Sequence, residues 1–393
     1  MHAPFLIDLS HTSHTLARTG VQRVCRSLRR ELGANAVPVT FDPYEGAWRP
    51  LDSSESNRLV STETSRARGA RWPLAAKVRG HVRRLAGRTD TLGALSNGGT
   101  AGLIVPEIFS PDVASAFPAL FAATEGPKVA LFHDAIALQY PEFTPKGTVA
   151  RFPGYLQDLL KFDAVAAVSE ASRAALLDYW KWLGVTKIPE VAAITLGVDK
   201  PPAASSTARH CAPTVLCVSS IEGRKNHLAL LDACESLWAC GLSFQLRLVG
   251  LANSETGAKA ISRIDLLRTA GRNVRYDGAL SDQELESAYG ECLFTVYPSL
   301  AEGFGLPVAE SLSRVKPCAC RMDGALGEIA RGGGCKDLGA GSAADIASAV
   351  GALLSSEAEM AELRTAAGNR RFKTWAQYAA ELTAWVKSVK ILS

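Results

Sequence analysis

The stretch Tyr297-Pro-Ser-Leu-Ala-Glu-Gly-Phe-Gly-Leu-Pro-Val-Ala-Glu310 concentrates residues able to do chemistry. An apolar run ends at Tyr297, and a loop with Gly303 and Gly305 follows. Pro307 suits the first turn of a helix, where a missing N–H costs nothing. Glycines just before a helix start let backbone N–H groups approach an anion, which the helix dipole also favours. The pattern therefore reads as a phosphate cradle at the carboxyl end of a strand. Glu302 and Glu310 would repel phosphates, so they should face hydroxyls, one on a sugar and one on a ribose. A Gly-rich turn with an acid in the helix is the plainer account, but it leaves both acids and Pro307 at these offsets unexplained.

Three further stretches have the same character. Ser219-Ser-Ile-Glu-Gly-Arg-Lys-Asn226 sits between an apolar run and a helical pattern. Arg224 and Lys225 are placed there to neutralise a leaving diphosphate, unless they are simply surface cations. Phe132-His-Asp134 ends another run, and His133 reads as a hydrogen-bonding group for a substrate hydroxyl or as a satisfied buried histidine. With no H-x-H, no H-E-x-x-H and no third ligand nearby, metal is not expected. In Arg18-Thr-Gly-Val-Gln-Arg23, Gly20 allows a close backbone approach or simply opens a helix. The chain has no Walker A sequence, no G-x-S-x-G and no D-x-D pair.

Positioning these loops takes strands and helices in alternation. Short runs rich in Val, Ile, Leu and Phe predict strands at Pro4–Leu9, Ala36–Phe41, Gly102–Val105, Lys128–Phe132, Ala164–Val168 and Val191–Leu196. The same pattern returns at Thr214–Val218, Phe244–Val249, Val274–Tyr276, Leu293–Tyr297 and Pro317–Cys320. Helical stretches such as Val21–Leu32, His227–Cys240 and Asp282–Tyr289 lie between them, predicting doubly wound parallel sheets. Lys200–Pro213, with its prolines and no apolar period, reads as a linker. The expected domains are 1–199 and 214–372, joined by 200–213. The tail, 373–393, presents Trp375, Tyr378, Leu382 and Trp385 on one helical face that must dock.

Composition narrows the classes. At 393 residues, 47% hydrophobic and 21% charged, the chain can bury two cores and is not disordered. A net charge of +4 is too small for wholesale nucleic-acid binding. Nine cysteines without a C-x-x-C pair fit reduced thiols and a cytoplasmic setting. The apolar runs are too short to span a membrane, and the N-terminus reads as a strand, not a signal peptide. One segment stands apart: 66–88 holds eight Lys or Arg and no Asp or Glu. Leu74, Val78, Val82 and Leu85 recur within it at helical spacing, after Trp72. That describes either a helix for an anionic membrane surface or an ordinary helix packed by its apolar side.

Together these stretches resemble the GT-B glycosyltransferases, specifically the retaining family 4. Glu302 to Glu310 resembles that family's E-x7-E motif. Ile221-Glu-Gly-Arg-Lys-Asn226 resembles its E-P-R-K-N segment, with Gly223 in place of Pro. Ser219 stands where many members place a further phosphate-binding Arg. His133-Asp134 with Tyr140-Pro-Glu142, and Thr19-Gly-Val-Gln-Arg23, resemble its H-D…P-E segment and glycine loop. The resemblance runs nearly the whole chain in order, and is weak between about Asp42 and Gly98.

The resemblance implies two Rossmann-like domains facing a cleft, the second binding a nucleotide sugar and the first the acceptor. It assigns Glu310 to the ribose hydroxyls, and Glu302 with the loop from Gly303 through Phe304 and Gly305 to the donor sugar. It assigns the Leu306 backbone, Arg224 and Lys225 to the diphosphate, with Gly278 near the base. His133 meets the donor sugar, and Gly20 the phosphate or sugar. The implied chemistry is front-face substitution with retention, without metal or other cofactor. The Thr-Gly-Val-Gln-Arg opening resembles bacterial mannosyltransferases of surface-polysaccharide assembly, implying GDP-mannose or a GDP-deoxyhexose as donor and lipid-linked or lipopolysaccharide glycans as acceptors. Segment 66–88 would then meet the inner face of the inner membrane. The rivals are a UDP-sugar donor, and a catalytically silent scaffold that binds nucleotide sugars.

Overall fold

The computed structural model describes residues 3–61, 69–87, 99–199 and 213–392, so the linker segment 200–212 lies outside the described residues. The chain forms two compact units. The first comprises Met1–Ala135, Ala150–Gly197 and Trp375–Ser393, and the second comprises Ile136–Val149 and Val198–Thr374. Residues 136–149, placed in the first domain from the sequence, thus group with the second unit.

The first unit is built on a seven-stranded sheet. Its strands are β1 (Phe5–Asp8), β2 (Ala36–Asp42), β3 (Ala47–Pro50), β4 (Gly102–Val105), β5 (Lys128–Phe132), β6 (Ala164–Ala167) and β7 (Glu190–Ala193), in the order β3-β2-β1-β4-β5-β6-β7. Neighbours run parallel except β2 with β3. Strand β3 was not expected; a four-residue edge strand containing Arg49 and Pro50 carries no apolar run. Helices α1 (Gly20–Leu32), α2 (Ser53–Val60) and α3 (Leu74–Leu85) belong to this unit. Helix α1 buries Val24, Cys25, Leu28 and Leu32. Helix α3 does not pack by its apolar side: Leu74, Val78, Val82 and Leu85 all face solvent, and Gly80 is the buried position.

The second unit holds a parallel six-stranded sheet. Its strands are β8 (Thr214–Val218), β9 (Gln245–Val249), β10 (Val274–Gly278), β11 (Phe294–Tyr297), β12 (Cys318–Cys320) and β13 (Cys335–Asp337), in the order β10-β9-β8-β11-β12-β13. Strand β13, only three residues long, is the second strand not anticipated. Helices α4 (His227–Ala239) and α5 (Leu306–Ser313) follow β8 and β11. Val215, Leu246, Leu248, Phe294 and Val296 meet Leu230, Leu231, Ile346 and Val350 in one core. The last helix, α6 (Trp375–Ser388), joins the first unit, where it packs on α1 through Trp375, Tyr378, Leu382 and Val386. Trp385 sits at the edge of that face, its indole N–H donating to Glu190 at 3.0 Å.

In both sheets the strand order reverses beside the first strand, between β1 and β4 and between β8 and β11. Loops leaving the carboxyl ends of such a pair diverge, and ligands of open α/β sheets bind in the crevice they leave.

Candidate functional site

The loops after β8 and β11 carry the residues singled out from the sequence. After β8 the chain makes a short 3₁₀ turn, Gly223–Lys225, and passes through Asn226 at φ +57 before α4 begins. Gly223 lies tight against Phe143; a Cβ there would stand 3.0 Å from its ring. The turn presents Arg224 and Lys225 to the loop after β11, and Leu300 N–H donates to the Arg224 carbonyl at 2.8 Å. Four donors converge on Glu302 Oε1: Arg224 at 2.9 Å, Tyr297 Oη at 2.9 Å, Lys225 Nζ and Ser299 Oγ. Arg224 also pairs with Glu222 at 3.0 Å.

Lys225, Tyr297 and Ser299 are buried, the Glu302 side chain is nearly so, and Arg224 is half-buried. Burial works to raise the Glu302 carboxyl, but Arg224 and Lys225 overcome it and hold Glu302 at about 2. Burial, with Arg224 alongside, lowers Lys225 from the ordinary lysine range. Tyr297 is kept a phenol by burial and by the Glu302 charge. His227 is pushed down to about 3 by burial and then by Lys225, so it is neutral; its Nε2 faces Ser219 Oγ at 3.1 Å. Two cations are thus gathered at the sheet's switch point, both on Glu302 and Arg224 on Glu222 as well.

Helix α5 opens at the end of the same loop. Gly305 is its N-cap at φ +102, Pro307 lies in the first turn, and no acid there offsets the dipole. A Cβ at Gly305 would stand 2.7 Å from Leu326 Cδ2, so the position is crowded as well as left-handed. Gly303 is buried, Phe304 half-buried and Leu306 buried in the same turn. Glu310 is buried on α5, where Tyr289 Oη donates to its Oε2 at 3.3 Å. Gly278, at φ +69, ends β10 at the sheet edge. Arg224, Lys225 and the Glu302–Glu310 segment are thus assembled at one end of the sheet, with Gly278 two strands from β8.

Gly20 and His133 stand in the first unit. Gly20 is the first residue of α1, and a Cβ there would meet nothing within 4 Å. His133 follows β5, is buried, and donates from Nε2 to the Pro106 carbonyl at 2.7 Å. Burial lowers its pKa, so the ring is neutral and Nδ1 is its acceptor nitrogen. Beside it, at the ends of β1 and β4, lie two buried acids absent from the sequence expectations. Glu107 accepts from His11 N–H at 2.7 Å and Thr12 N–H at 2.6 Å, and Asp8 accepts from Ser10 N–H at 2.9 Å. Burial, then the Glu107 charge, raises Asp8 to about 7. The folded chain therefore holds a proton that the unfolded chain releases above its ordinary pKa of 3.8, and stability falls as pH rises from about 4 to about 7. Asp8→Asn removes that loss, so its melting temperature should gain on the native chain between pH 5 and pH 8. An offset independent of pH would contradict this.

The comparisons with known proteins agree with this geometry. Residues 203–371 match the family model described as glycosyl transferases group 1. The matched span lies within the second unit, which is thus similar to that family. Over 354 residues, 83% of this chain and 40% of the relative, the chain is 27% identical to the serotype-specific mannosyltransferase WbdA of Escherichia coli. It is 26% identical to the O-antigen chain mannosyltransferase B of the same organism, over 51% of this chain and 54% of that one. The chain spans about two fifths of the length of WbdA. Among solved structures, Anabaena HepE in complex with UDP and glucose aligns at TM-score 0.70 and 16% identity, covering 98% of this chain and 100% of that one. Sucrose-phosphate synthase from Thermosynechococcus elongatus aligns at TM-score 0.69 and 16% identity, covering 98% and 99%. These likenesses give the fold, which is GT-B with two Rossmann-like units.

Within the second unit, sequence reasoning missed the supports of Glu302. Tyr297 was read as the end of a strand, and Ser299 as part of a loop. The signal was available for Tyr297, because a tyrosine wholly buried at a strand end needs a partner for its hydroxyl. For Glu107 the available signal was an acid two residues past the apolar run Gly102–Val105.

Proposed function

We propose that the protein is a retaining, metal-independent hexosyltransferase. It takes mannose or a related deoxyhexose from a GDP-sugar and delivers it to a lipid-linked or lipopolysaccharide glycan. The observation that carries the reading is the Arg224–Lys225 pair beside the α5 N-terminus at the β8–β11 switch point. A departing diphosphate placed there gains two cations and backbone N–H groups, and stabilising that leaving group is the main catalytic contribution. No protein nucleophile takes part: the acceptor oxygen bonds to the anomeric carbon on the face from which the diphosphate departs, and the departing diphosphate takes the acceptor's proton. Glu310 holds the ribose hydroxyls. Glu302, with the backbone from Gly303 to Gly305, holds the sugar, and the Leu306 N–H meets the phosphate. Gly278 lies toward the base. His133, through Nδ1, and Gly20 supply contacts from the first unit. The mannosyltransferase relatives support the choice of donor.

The setting proposed is cytoplasmic, with segment 66–88 on an anionic membrane surface. Among the described residues no helix is long and apolar enough to cross a membrane. The donor is tested by thermal shift against GDP-, UDP-, ADP- and CMP-sugars without added metal. A ligand at roughly 100 times its Kd stabilises by about 2.7 kcal/mol. Stabilisation by GDP and GDP-mannose is expected. A shift with UDP-sugars alone would overturn the donor, and no shift with any nucleotide would overturn the site.

A further inference from the structure

Helix α3 is mounted the wrong way round for a helix whose apolar face serves the core. Leu74, Val78, Val82 and Leu85 share one side and are 77%, 55%, 59% and 88% exposed. The roughly opposite side packs, and it does so through a glycine. A Cβ at Gly80 would stand 2.7 Å from Tyr44 Cβ and 3.0 Å from Glu45 N. Lys77 lies over the Tyr44 ring at 5.5 Å, and Arg79 and Arg83 reach Asp52 and Glu45, each at 3.4 Å. Arg71 and Arg84 are exposed, and the segment 66–88 contains no acid. Large apolar side chains facing outward on a helix with basic flanks fit an anionic lipid surface, which takes the stripe into its acyl boundary and the cations at its headgroups.

The lead-in to α3 is tied to the loop between β1 and α1. Arg71 N–H donates to the His14 carbonyl at 2.7 Å, and Trp72 stacks on the His14 ring at 3.7 Å. His14 Nε2 meets Glu55 at 2.9 Å, and Arg49 in turn grips Glu55 at 2.7 and 2.8 Å. Glu107 holds the same loop through His11 and Thr12. The loop that leads to Gly20 is therefore held by a buried acid on one side and by Arg71 and Trp72 on the other.

We propose that α3 is a lipid-seated brace: its stripe settles into an anionic bilayer, and Arg71 and Trp72 pass that seating to residues 10–19, stiffening the loop that leads to Gly20. The inference rests on the membrane reading above and is independent of the donor. Its first test is co-sedimentation of the full chain with phosphatidylglycerol–phosphatidylcholine vesicles. Binding is expected, with none to phosphatidylcholine alone. The double variant Val78→Glu/Val82→Glu should lose binding while keeping its melting temperature, since both side chains face solvent. Arg84→Ala should weaken partitioning about fivefold, the effect of about one surface cation. Failure of the native chain to bind, or equal binding by the double variant, overturns the membrane reading and the brace with it. The second test is hydrogen exchange at residues 10–19 with and without those vesicles. Slower exchange on binding is expected, and Trp72→Ala should bind vesicles normally without it. Vesicle binding that leaves loop exchange unchanged in the native chain, or equal protection in Trp72→Ala, overturns the brace alone.

Discussion

Under the proposed function, Lys225→Ala is expected to lower kcat/KM for hexose transfer by about 10²–10³, the usual cost of removing one group that stabilises developing negative charge. The loss should fall on kcat more than on KM, because the diphosphate carries most of its charge as it departs. Stability falls as well, because Lys225 is one of the two cations that hold buried Glu302 ionised. Breaking a buried pair costs about 3–5 kcal/mol when nothing else compensates. Arg224, Ser299 and Tyr297 remain on Glu302 Oε1, so a smaller loss is expected here. The double variant Lys225→Ala/Glu302→Gln separates the two effects. Removing both charges should recover melting temperature without recovering transfer. Recovery of both would make the pair structural only. The native cluster also sets an acid limit. Glu302 titrates at about 2 when folded, so its contribution is complete above its ordinary carboxyl pKa and is lost as pH falls toward 2.

Gly305→Ala should lose nucleotide binding, with a fall in Kd-dependent thermal shift of tenfold or more in affinity, on the order of 1–3 kcal/mol of backbone strain at a left-handed position. The clash with Leu326 falls on the end of a flexible side chain, which can turn aside. The backbone at φ +102 has no such escape, so the first turn of α5 must move, and its N–H groups with it. Gly271 gives the control. It also has a positive φ, +73, but a Cβ there meets nothing within 4 Å. Gly271→Ala should therefore show the strain in its melting temperature while leaving the nucleotide shift unchanged. Equal loss of binding in both variants would separate the cradle from the glycine.

Much of this was legible because strands covered on both faces write themselves as apolar runs. Thr214–Val218 and Lys128–Phe132 are found where those runs predict them. Ala47–Pro50 and Cys335–Asp337 are not, since edge strands of four and three residues leave too little pattern. The glycines and acids from Glu302 to Glu310 were visible by spacing. The bonds from Arg224 and Lys225 to Glu302 were not, because sheet order brings together residues 78 and 77 positions apart. The stripe on α3 was visible but its direction was not. An apolar period says that a face exists; the close approach at Gly80 decides which side packs. The raised pKa of Asp8 was illegible for a similar reason, since burial beside Glu107 depends on the β1–β4 pairing.

The most direct test of the central claim is transfer itself, followed by proton NMR of the product's anomeric signal. The full chain is incubated with GDP-mannose and a lipid-linked glycan acceptor, without added metal. Release of GDP together with a new α-linked hexose is the predicted result, the configuration of the donor being kept. A β-linked product would contradict the retaining mechanism, and binding of the donor without any transfer would contradict the enzyme.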